Sequence, residues 1–120
     1  MIKYFIILFV FNFSLAQSTL MINAEESNIN YSAKHVLHAW EGVNDNIKGV
    51  IIYDGSVSTI AIAAKVVDFD SGNSGRDSHS LEVLEALKFP NIKFYSEDIS
   101  SEGNAIIFNG EIEFRGEKKP

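Results

Sequence analysis

The chain has 120 residues, a length that suits one domain, and its hydrophobic content of 46% with 22% charged residues is ordinary for a globular protein. A formal charge of −6 argues against a nucleic-acid partner, because phosphate binding needs a basic face. The absence of cysteine removes disulfides, thiolate catalysis and thiolate metal sites together.

Residues 1–16 read as an export signal. Met1 to Tyr4 carries one Lys, Phe5 to Phe11 is an unbroken apolar run, and Ser14 and Ala16 stand at the −3 and −1 positions for a cut before Gln17. The apolar stretch is shorter than the ~20 residues a spanning helix needs, so no stable membrane span is expected. Gln17 follows the cut where a lipoprotein would have Cys. The reading is a periplasmic or secreted domain over 17–120.

Most of that domain alternates with period two, the signature of half-buried strands. Ile29, Tyr31 and Ala33 alternate with Asn30, Ser32 and Lys34. The stretch from His35 to Val43 is ambiguous and is read as one helical turn between strands. Val50 to Tyr53 is apolar on both faces. Asp54-Gly55-Ser56 is turn chemistry linking it to a strand in which Ile60, Ile62, Ala64 and Val66 share one side. Asn73 to His79 is polar and glycine-bearing and reads as a loop. Leu81, Leu84 and Leu87 then recur at a spacing of three, which predicts a short helix from Ser80 to Leu87, capped by Ser78 or Ser80 and ended by Phe89-Pro90. Ile92 and Phe94 alternate with Lys93 and Tyr95. After the turn Ser101 to Asn104, Ile106, Phe108, Gly110, Ile112 and Phe114 share one parity. The expected class is all-β with short helical insertions, an antiparallel barrel or a sandwich.

Five segments resemble the YceI-like family of exported lipid-binding proteins. They are Tyr31-Ser32-Ala33-Lys34-His35, Asp68-Phe69-Asp70-Ser71-Gly72-Asn73, Arg76-Asp77-Ser78-His79, Phe89-Pro90-Asn91-Ile92-Lys93-Phe94-Tyr95-Ser96, and the run from Gly110 to Pro120. Glu117 and Lys118 stand where the family usually has Val-Thr, and Ser80 where a larger residue is common. The family continues past this Pro into strands that close its barrel. The resemblance therefore implies an antiparallel, lipocalin-like barrel, left incomplete because the closing C-terminal strands are absent. It also implies a pocket for a long-chain apolar lipid, a polyisoprenoid or a fatty-acid derivative.

By pattern alone the alternating faces make a filled core as readily as a cavity; the resemblance favours the cavity. Its inward, ligand-binding residues would be Ile29, Tyr31, Ala33, Ile60, Ile62, Ile92, Phe94, Phe108, Ile112 and Phe114. Trp40 would cap one end if its turn packs against the strands. Arg76, Asp77 and His79 would contact an anionic head group or fix their own loop, Arg76 offering a bidentate fork to phosphate. His35 and His38, with Glu41 or Asp77, make only a weak metal pattern, and no metal or cofactor is assigned. Ser78 and Ser80 adjoin His79 in sequence, an arrangement that seldom lets nucleophile and base meet, so no catalytic residue is assigned.

The expectation is a carrier or binding protein without enzymatic activity. Its partner would be a long-chain lipid or isoprenoid, with no nucleic acid and with a homodimer left open. Two alternatives stand beside it. One is an enzyme acting on a lipidic or small substrate through His79 and Asp77 at the pocket mouth. The other is a structural, stress-related β domain with a filled core.

Overall fold

The structure is a computed structural model and describes residues 17–120. The expected export signal over residues 1–16 lies outside the described residues. Among the described residues the strands are β1 (Ser18–Met21), β2 (Ile29–His35), β3 (His38–Asn44), β4 (Ile47–Tyr53), β5 (Val57–Lys65), β6 (Asn91–Glu102), β7 (Ala105–Phe114) and β8 (Glu117–Lys119), with one α-helix, α1 (Ser74–Val83), between β5 and β6. Every strand pairing is antiparallel. One sheet has six strands in the order β1-β4-β5-β6-β7-β8, and β2 and β3 form a separate two-stranded sheet. The larger sheet does not close on itself among the described residues; β1 and β8 are its two edges.

Turn chemistry explains most of the connections. Asp54 to Ser56 joins β4 to β5, with Gly55 at φ 70°, and Gly103-Asn104 joins β6 to β7, with Gly103 at φ 60°. The segment from His35 to Val43 is a correction. It holds no helical turn. β2 and β3 form a hairpin in which His35 pairs with His38 across the two-residue turn Val36-Leu37.

The helix is a second correction. It begins at Ser74, inside the stretch read as a loop, and ends at Val83. Its cap is Asn73, whose side-chain oxygen accepts from the Arg76 amide at 3.0 Å. Leu84 to Phe89 is a run of turns, and Leu87 is fully exposed. No residue of α1 is buried, so the apolar periodicity that marks a packed helix was absent from its first turns.

Register gathers the large apolar side chains of β5, β6 and most of β7 on one face, since directly paired antiparallel residues point the same way, while β4 is apolar on both faces. Ile51 pairs with Ile60, Ile62 with Phe94, Ala64 with Ile92, and Phe94 with Ile112. A bulge in β6 between Tyr95 and Asp98 shifts the alternation, so Ile99 pairs with Phe108 and joins the same face. Ser96 sits at this bulge, fully buried, and its hydroxyl donates to the Asn109 carbonyl at 2.6 Å. The opposite face carries Lys93, Tyr95, Glu111 and Glu113.

The buried hydrophobic residues are Ile47, Ile60, Ala64 and Val66, gathered where β4 and β5 meet the start of the connection to the helix. Phe108, Ile112 and Phe114 remain 37%, 43% and 38% exposed, so the face is not sealed into a solid interior among the described residues. Hydrogen bonds tie the hairpin to the end of β5 and to the connection that leads from it to the helix. Val43 and Asp70 exchange backbone hydrogen bonds of 2.9 Å each, and Asn44, with no exposed surface, donates through Nδ2 to the Lys65 carbonyl at 2.9 Å. Asn44 Oδ1 accepts from the Asn46 amide at 2.8 Å, which shapes the β3–β4 turn.

Candidate functional site

A half-open cavity of about 510 Å³ lies between the β2–β3 hairpin, the connection from β5 to the helix, α1, and the β6–β7 end of the large sheet. That volume falls within the ~300–1,000 Å³ typical of small-molecule pockets. Tyr31, Ala33 and Trp40 form the hairpin wall. Val66, Val67 and Phe69 form the floor, Leu81, Val83 and Leu84 the helix side, and Ile92 and Phe114 the sheet side. Asp77, His79 and Ser80 contribute the polar part of the lining.

The hairpin wall stands where it does because of close packing. Gly42 is buried opposite Tyr31 in the β2–β3 register, and a Cβ there would collide with the edge of the tyrosine ring. Glycine lets the ring lie flat over the strand. The Tyr31 ring then meets Phe69 with centroids 5.7 Å apart and planes tilted by 60°, which joins wall to floor. Trp40 is cross-strand neighbour to Ala33, and the Arg76 guanidinium carbon lies 4.9 Å from its ring centroid. The helix and the hairpin thus meet through a cation over an indole.

The three polar residues singled out in the sequence divide their roles. Asp77 accepts from the Ser71 hydroxyl at 2.6 Å and from the Ser71 amide at 3.2 Å and 3.3 Å, so its carboxylate fixes the loop before α1. Arg76 stacks on Trp40, and His79 is exposed at the cavity rim. Ser80 donates its hydroxyl to the Arg76 carbonyl at 2.9 Å, back along the helix. His35 and His38 face each other at the hairpin turn, and among the described residues no three His, Cys, Asp or Glu side chains cluster as a metal site would require.

Of the ten apolar residues expected to face inward, the cavity lining includes Tyr31, Ala33, Ile92 and Phe114. Ile60, Ile62, Phe94, Phe108 and Ile112 lie on the same face of the sheet as Ile92 but beyond the cavity, and Ile29 lies on the hairpin face two residues from Tyr31. Val66, Val67, Phe69, Val83 and Leu84 were not assigned to the site from sequence. Val66 continues the period-two series of β5 into a 3-10 turn (Val66–Asp68), and the others sit on that turn, just after it, or on the helix with its following turn, where period-two alternation gives no signal. The apolar clustering of Val66, Val67 and Phe69 just before a polar loop was the available cue.

Comparison with known proteins finds relatives of this chain among bacterial proteins. Protein YceI of Salmonella newport is 26% identical over 98 residues, covering 77% of this chain and 51% of its own length. UPF0312 protein plu2095 of Photorhabdus laumondii is 23% identical over 105 residues, covering 82% of this chain and 55% of its own. The chain therefore spans about half the length of the curated relatives it matches. The YceI-like domain family matches residues 20–120, from within β1 through β8, hairpin and helix included, and the chain belongs to that family.

Proposed function

We propose that this protein is an exported binding or carrier protein for a long-chain apolar lipid, a polyisoprenoid or fatty-acid derivative, and that it carries out no turnover. The observation that supports the reading best is the half-open cavity, lined on four sides by Tyr31, Trp40, Val66, Phe69, Leu81, Ile92 and Phe114, with its polar groups confined to one stretch of the helix. An apolar lining suits a hydrocarbon because each buried CH₂ contributes roughly 0.8 kcal/mol. A tail of several isoprene units needs no polar anchor for tight binding.

The finer architecture belongs to the same proposal. The apolar face that runs from the cavity past Ile62, Phe94 and Ile112 is read as the inner surface of a lipocalin-like barrel, to which this chain contributes the described strands. A long ligand would extend from the cavity along that face. Export is proposed from residues 1–16, with cleavage before Gln17 and a periplasmic or secreted destination.

The test is uptake of fluorescent isoprenoid and acyl probes by the purified protein, with and without His79→Ala. A carrier takes up the probe in both forms and converts it in neither. Conversion that disappears in H79A with binding retained would replace the carrier by an enzyme. Absence of uptake across chain lengths would favour a structural domain.

A further inference from the structure

The tip of the β2–β3 hairpin is built against the rules of its own turn. Two-residue hairpin turns favour Asn-Gly or Asp-Gly, because their preferred geometry needs positive φ. Here the two residues are Val36 and Leu37, neither with positive φ, and they are 88% and 80% exposed. Two branched aliphatic side chains held in water at a turn gain nothing for the fold, and such local conflict points to a partner.

The surroundings specify its chemistry. Lys34 lies one residue inside the turn, and His35 and His38 flank it. From Ala33 to Trp40 the hairpin carries no carboxylate, and the nearest on its strands is Glu41, paired with Ser32. Arg76, over Trp40, adds a second permanent cation to this end of a chain whose formal charge is −6, and among the described residues it forms no ion pair. An apolar point with cations behind it suits an anionic bilayer, whose headgroups meet the charges while the point enters the acyl boundary.

The same hairpin is the wall of the cavity. Ala33 and Trp40 line both the cavity beside the helix and a more open hollow bounded by Ser32, Lys34, Ala39 and Glu41. In the β2–β3 register, Tyr31, Ala33 and His35 share their face with Gly42, Trp40 and His38. One side of the hairpin therefore runs unbroken from cavity to tip. We propose that Val36 and Leu37 seat this hairpin in the surface of an anionic phospholipid bilayer, so that its cavity-facing side bridges membrane and cavity. Only the passage of ligand along that side rests on the lipid-binding reading; the membrane contact stands without it.

The experiment is co-sedimentation of the processed protein, beginning at Gln17, with vesicles of phosphatidylethanolamine and phosphatidylglycerol. The variant V36N/L37G installs the pair that two-residue turns prefer, which removes the apolar tip and keeps the hairpin. It should lower vesicle partitioning at least tenfold while probe uptake stays within twofold of the parent. Leu87→Asn, at a fully exposed apolar site elsewhere, should leave partitioning unchanged. Vesicles of phosphatidylcholine alone should bind at least fivefold more weakly. Equal partitioning of V36N/L37G and parent, an equal loss in L87N, or no partitioning of the parent would each overturn the proposal. Tip-dependent partitioning in a protein that takes up no probe would uphold the membrane contact and refute the carrier.

Discussion

Replacing Asn44 by Ala perturbs the joint between the hairpin and the large sheet without touching the cavity lining. The Asn44 side chain is fully buried and makes two hydrogen bonds, to the Lys65 carbonyl at 2.9 Å and from the Asn46 amide at 2.8 Å. Truncation leaves both backbone groups without that partner, at about 1–3 kcal/mol for each group that water fails to reach. It also opens a small void. Water reaches the β3–β4 turn more readily than the end of β5, so the sum is set near the lower part of that range, about 2–4 kcal/mol. For a domain of this size each kcal/mol shifts the melting temperature by roughly 4–8 °C. Thermal unfolding of N44A should therefore show a loss on the order of 10–30 °C, and urea unfolding a loss of about 2–4 kcal/mol. Asn44→Asp keeps the acceptor for Asn46 but sets a carboxylate against the Lys65 carbonyl, and should destabilise at least as much as N44A. An N44A protein within about 0.5 kcal/mol of the parent would refute the idea that this side chain joins the two sheets.

Three further outcomes follow from the geometry. Ala33→Trp places a large ring in the cavity from the hairpin wall; it should weaken uptake of a lipid probe at least tenfold, with a melting temperature within a few degrees of the parent. The Tyr95 phenol titrates above its ordinary value of 10, first because it donates a hydrogen bond to the Glu97 carboxylate and further because of burial and the negative charge beside it. The stabilisation from that bond is present below pH 10 and is lost as the pH rises through the raised value. Glu97→Gln should therefore move the alkaline ultraviolet titration of Tyr95 back down. Gly116→Ala combines a left-handed φ of 74° with a Cβ that would lie 2.6 Å from the Phe89 ring, and should cost about 1–3 kcal/mol in urea unfolding.

The strands were legible because their environment has two sides. In β6 and β7, Ile92, Phe94, Ile112 and Phe114 face the apolar side while Lys93, Tyr95, Glu111 and Glu113 face the other, and the register agrees with that parity. The bulge at Ser96 was hidden, because inserting one residue leaves composition unchanged and only reverses parity from Asp98 onward. The helix was misplaced for a related reason. Its first turns bury nothing, so Asn73 was its only marker, and an Asn beside Ser and Gly reads equally well as loop. The hairpin was missed because Val36-Leu37 carries no turn chemistry. The cavity was half legible: Tyr31, Ala33, Ile92 and Phe114 lie on readable strands, whereas Val67 and Phe69 reach it from an irregular connection that period-two reasoning passes over.

The account turns on whether the space between hairpin, helix and sheet holds a hydrocarbon chain. Native mass spectrometry of the protein purified without detergent, followed by extraction and identification of any bound small molecule, addresses this directly. The account predicts an adduct that dissociates as a long-chain isoprenoid or acyl lipid and that is depleted in A33W. A protein that carries no adduct, and acquires none after incubation with lipid extract of the expressing bacterium, would contradict it.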